Sequence, residues 1–197
     1  MTIRSRFRSL RDDEAGVTLP ELIVYIVISV LVLAGLVSMF ASGLSAHADT
    51  KARDAATGTV GVAVNSLQGS IRNSSAFSIT GSTLRARVAV GDGTAWECRA
   101  WSLAGATLFY KVATSAITIP ADYAGYRAAG WADLTNGAKG VSGTLTEASV
   151  SNLPFLRSGS RLLYGLRVRI GDAGTAVTLE GASLPQAVGE GSPASCW

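Results

Sequence analysis

Charge is scarce in this chain, and histidine is almost missing. Of 197 residues only 16% are charged and 48% are hydrophobic, a balance low in charge for a soluble domain. The one histidine, His47, stands just beyond a long apolar run, which argues against a Ser-His-Asp or Cys-His centre. No G-x-S-x-G, Walker A or complete G-x-G-x-x-G pattern occurs. Acids are sparse after residue 45, and their spacing suggests no pair for general acid–base work. Two cysteines and one histidine do not supply the four ligands of a structural zinc. The sequence therefore predicts no enzyme, no metal and no cofactor. A net charge of +3 and a pI near 9.1 are too mild to imply nucleic acid by themselves. No internal repeat or low-complexity tract is evident.

The longest absence of charge begins at Leu22, and as far as Phe40 the run is apolar except for the polar side chains Tyr25, Ser29 and Ser38. As a helix these residues span roughly 28 Å, the thickness of a bilayer core. Arg4, Arg6, Arg8 and Arg11 precede them, so the positive-inside rule places the N-terminus in the cytoplasm and the residues after about 45 outside. A secretory signal peptide is the competing reading, with Ala46-His47-Ala48 as its cleavage site. Its apolar core would be shorter, and Asp12, Asp13, Glu14 and Glu21 are misplaced for its basic leader.

Glu21 poses the sharper question, because a lone carboxylate in hydrocarbon is costly. Gly16-Val17-Thr18-Leu19-Pro20-Glu21-Leu22 and the apolar run that follows resemble the class III signal of type IV prepilins and type II secretion pseudopilins. The resemblance implies a 1–16 leader, removed between Gly16 and Val17 by a prepilin peptidase. It implies N-methylation of Val17, and an assembly role for Glu21 as the glutamate at mature position five. Val17 departs from the commoner phenylalanine. Locally, Thr18 as N-cap and Glu21 three residues on also fit a capping box, and Pro20 is harmless in a first turn. In a pilin-like filament Glu21 would additionally neutralise the free amine of a neighbouring subunit.

The helix is expected to continue over 17–72, with its membrane segment at about 21–40. Ala56, Val60, Val64, Leu67 and Ile71 mark one face of its outer half, and Gly58 and Gly61 invite a bend or local melting. Ala34, Ser38 and Ser42 form a small-residue row that would let helices approach. Beyond Arg72 the period becomes two: Leu84, Ala86, Val88 and Val90 alternate with Arg85 and Arg87. Turns at 91–93 and around "SLAGA" predict a three-stranded meander, and a second hairpin joins "RLLYGLRVRI" to "TAVTLE". Residues 113–160 are poorly periodic, with one short helical turn expected around Trp131 and Leu134.

This order predicts an α+β, type IV pilin-like fold: a long N-terminal helix on an antiparallel sheet in an exterior domain, 73–197. "LQGSIR", "WECRAW" and "WADL" are most similar to minor pilins of the J/W kind. In an oxidising exterior the even count allows one Cys98–Cys196 bond, pinning a Gly/Pro/Ser-rich tail; unpaired buried thiols are the alternative. If their strands are neighbours, Arg85, Arg87, Arg167 and Arg169 merge into a basic patch. Solvated strand faces, contact with an acidic neighbour and direct DNA binding all stay open for it. The function expected is that of a minor type IV pilin or pseudopilin, serving DNA uptake, motility, adhesion or secretion. Its partners would be prepilin peptidase, other pilin subunits, membrane lipid and inner-membrane assembly machinery. A major pilin, or an anchored binding domain that never polymerises, is the alternative.

Overall fold

A computed structural model describes residues 16–91, 93, 95–135, 140–169, 176–187 and 195–197. The charged leader before Gly16, Asp92 of the first hairpin turn, the "GDAG" turn and part of the C-terminal tail lie outside them. The chain divides into two compact units, Met1–His47 and Ala48–Trp197.

Helix α1 covers Leu19–Arg72, 54 residues. Its most apolar window contains no buried residue, and the helix is long and apolar enough to cross a membrane. A core helix of a soluble protein would bury most of such a window. The helix runs unbroken through Gly58 and Gly61, so the local melting expected there is not seen.

In the second unit the helix turns amphipathic. Ala56, Val60, Ala63, Val64, Leu67 and Ile71 are buried, at the 3.6-residue spacing that gathers side chains on one face. The chain is thereafter antiparallel β. Strands β1 (Ser74–Thr80), β2 (Thr83–Val90), β3 (Ala95–Ala104) and β4 (Thr107–Ala113) follow, then helix α2 (Tyr123–Ala128) and β5 (Ala132–Asp133). These five strands form one sheet in sequence order. Strands β6 (Val141–Gly143), β7 (Leu145–Glu147), β8 (Val150–Leu153), β9 (Phe155–Ser158), β10 (Arg161–Val168) and β11 (Val177–Ser183) complete the unit. The second sheet is centred on β10, with β11 on one side and β9 and β6 sharing the other; β7 and β8 pair separately.

One core joins the helix face to both sheets through Leu84, Val88 and Trp101 on the first and Phe155, Leu162 and Leu166 on the second. Period-two alternation sends the intervening residues of each strand to the opposite face of its sheet. Arg99 ties the helix to the sheet: it is ion-paired with Glu97 and donates to Ser70 Oγ at 2.8 Å. A smaller core on the other face of the first sheet contains Ala100, Phe109, Ile117, Tyr126, Trp131 and the cysteines.

The helical turn expected around Trp131 and Leu134 lies earlier. Asp122 caps α2 by accepting from the Gly125 N–H at 2.8 Å. Gly130, at φ +70°, ends the turn by adopting a conformation few other residues reach. The chain then pairs with β4, the Leu134 N–H donating to Leu108 O.

Candidate functional site

Gly16, Val17 and Thr18 precede the helix in non-helical, exposed conformation. The peptide bond between Gly16 and Val17 is thus outside regular structure. The Thr18 carbonyl accepts from the Leu22 N–H at 3.1 Å, which makes Thr18 the residue that opens the helix. Pro20 falls in the first turn, where its missing N–H has no helical partner to lose.

Glu21 does not complete the expected capping box. Its Oε1 instead accepts from the Tyr25 hydroxyl, 3.2 Å away. Side chains four residues apart are neighbours on a helix, and the Cα–Cβ vector tilts toward the N-terminus, so the longer Tyr25 ring leans back over the turn holding Glu21. Tyr25 is the residue that sequence reading passed over, although its spacing from Glu21 was in plain view. Glu21, Tyr25 and Ser29 recur every four residues and fall within an arc of about 80° at about 100° per residue. Ala34, Ser38 and Ser42 form a second row, centred roughly 140° around the helix from the first. Ser42 Oγ donates to the Ser38 carbonyl at 3.0 Å, so its polarity is spent within the helix.

In the second unit Cys98 of β3 is joined to Cys196, with 5.4 Å between their Cα atoms. The Ile117 N–H donates to Cys196 O at 3.3 Å, fixing the tail's end from a second side. Arg87 pairs with Cys98 across β2 and β3, so both project from the same sheet face. The Arg87 guanidinium lies 5.5 Å from the centroid of the Trp197 ring.

The four arginines are not brought together by strand pairing. β2 belongs to the first sheet and β10 to the second, so the premise that made one patch of them fails. Arg85 donates to Thr80 Oγ1 and Arg87 lies over the Trp197 ring; both serve the structure of their own sheet. Arg167 and Arg169 are exposed and border a hollow of about 280 Å³ with Ser142 and Gly140.

A larger open groove, about 920 Å³, is bordered by Phe77, Ile79, Glu147, Phe155, Arg157 and Trp197. Arg157, on its wall, lies 4.3 Å over the Phe77 ring and donates to the Phe77 carbonyl. Among the described residues no group of three His, Cys, Asp or Glu could hold a metal. Burial pushes the Tyr110 hydroxyl above its usual range, the Arg99 charge opposes this and Glu97 adds to it.

No family model, no curated protein and no solved structure matches the chain.

Proposed function

We propose that this chain is a minor type IV pilin or pseudopilin, a structural subunit that acts by assembly rather than catalysis. One observation carries the reading. An exposed, non-helical Gly16–Val17 bond stands immediately before a helix whose first turn bears Glu21 and whose next turns carry no charge. A membrane peptidase needs an accessible scissile bond. A carboxylate at the head of a hydrocarbon-spanning helix needs a cationic partner to be tolerable. Cleavage creates that cation, as the new α-amine of Val17 on a neighbouring subunit.

The second unit supports the same reading. The outer half of α1 buries one face against antiparallel sheets, the type IV pilin-like arrangement of helix and sheet. In this reading the N-terminus is cytoplasmic, residues from about Ala48 onward are exterior, and the helix passes from the bilayer into a pilus or pseudopilus. The polar row and the small-residue row on different sides of the helix suit a subunit that meets one neighbour with each, as heterologous assembly requires.

Intact-mass measurement of the protein from its native host tests the proposal. Loss of residues 1–16 with one added methyl group is expected. Recovery of the full-length chain would refute it, and an N-terminus near His47 would make the chain a secreted protein instead.

A further inference from the structure

In hydrocarbon a phenol hydroxyl and a carboxylate are each expensive to leave unsatisfied, and Tyr25 and Glu21 meet that need in each other. The Tyr25 proton occupies one carboxylate oxygen, Oε1. The second oxygen, Oε2, has no partner among the described residues, and the Tyr25 hydroxyl oxygen keeps lone pairs after donating.

We propose that Tyr25 is a positioning residue for subunit assembly: its hydroxyl fixes the Glu21 carboxylate and, with Oε2, forms a two-acceptor cradle for the amine of a neighbouring subunit. The inference rests on the filament reading above. Charge complementarity selects the occupant. The cradle offers one negative charge and only acceptors, whereas an N-methylated α-amine is a cation with two N–H donors and no acceptor. Two donors meet two acceptors, and neither is stranded in lipid. Ser29, one turn further along the same row, extends the polar face without adding charge. The competing explanation makes Tyr25 an interfacial anchor of the kind found in aromatic belts; such an anchor would act independently of Glu21.

A double-mutant cycle separates the two. Tyr25→Phe, Glu21→Ala and their combination are expressed in the host, and subunit in sheared filaments is measured against the membrane pool. Tyr25→Phe is expected to insert and be cleaved normally but to lose roughly tenfold in incorporation, the scale of one hydrogen bond to a charged group. The combined variant is expected to do no worse than Glu21→Ala alone. Wild-type incorporation of Tyr25→Phe, or additive losses in the combination, would overturn the proposal while leaving the pilin reading intact. Wild-type incorporation of Glu21→Ala would overturn the cradle and the assembly role of Glu21 together, whereas absence of the unmutated chain from sheared filaments would sink the pilin reading itself. The infrared carboxylate band of ¹³C-glutamate-labelled full chain in micelles provides a readout independent of assembly. The band that Glu21→Ala removes should shift on Tyr25→Phe; an unmoved band would refute the hydrogen bond.

Discussion

Arg87 lies over the Trp197 ring, its guanidinium 5.5 Å from the indole centroid, although the two residues are far apart in sequence. The contact exists because Cys196 is bonded to Cys98, which stands opposite Arg87 in the ladder. The last residue of the chain is thereby held on the face of the first sheet, beside the small core of Phe109, Tyr126 and Trp131.

Opening the disulfide should therefore cost more than one contact. The bond closes a loop of 98 residues, for which the chain-entropy model gives roughly 4 to 5 kcal/mol. Cys98→Ser with Cys196→Ser is expected to lower the urea midpoint of the solubilised full chain by a corresponding amount. An unchanged midpoint would show that the bond is dispensable. Arg87→Ala alone should cost about 0.5–1 kcal/mol.

Two glycines should respond in opposite ways to alanine. A Cβ at Gly143 would run into the backbone of Asn152, Leu153 and Pro154, whereas one at Gly61 meets nothing. Gly143→Ala is expected to destabilise the second unit by roughly 1–3 kcal/mol. Gly61→Ala should stabilise it by up to about 1 kcal/mol, the helix-propensity difference. Thermal unfolding of both variants decides this, and shifts of the same sign would contradict the close approach at Gly143.

Alkali should weaken the fold through Tyr110. Its folded-state pKa is raised, chiefly by burial, so the neutral phenol is favoured in the native state. That contribution is fully present below the unfolded value of about 10 and is lost as pH rises through the higher folded value. The expected alkaline decline in stability should be smaller in Tyr110→Phe. Identical profiles for the two proteins would exclude Tyr110 as a source.

The arginine pairs should separate by phenotype. Arg85→Ala with Arg87→Ala is expected to lower thermal stability, since these side chains contact Thr80 and Trp197. Arg167→Ala with Arg169→Ala is expected to leave stability within about 0.5 kcal/mol, as usual for exposed positions. If the full chain in micelles binds double-stranded DNA at low salt, the second pair should weaken it more. Stronger dependence on Arg85 and Arg87 would reverse the assignment.

How much of this was readable without coordinates varies with the range of the interactions involved. The buried face from Ala56 to Ile71 and the alternation of β2 are local patterns, and periodicity alone located them. β1 was missed because "SSAFSIT" has no clean alternation and becomes a strand only by pairing with β2. Strands β6 to β9 are only three to four residues long and are imposed largely by β10 and by each other, so the segment 113–160 is poorly periodic in sequence. The helical turn expected around Trp131 and Leu134 ends at Gly130, φ +70°, and Trp131 instead packs against Tyr126, with ring centroids 5.0 Å apart. Around Glu21 the acid and its offset from Gly16 were legible. The direction of its carboxylate was not, because the capping box and the Tyr25 bond compete for the same oxygens.

The Cys98–Cys196 bond also limits how far the second unit can lengthen under tension. A load applied between Ala48 and Trp197 passes through the sulfur atoms and bypasses the residues between them. Only the stretch from Ala48 to Cys98 can be drawn out, about 170 Å of extended chain, where the unbridged unit would release about 500 Å. If the unit is pulled while anchored, it can lengthen only by that stretch, behaving as a short tether with a fixed limit.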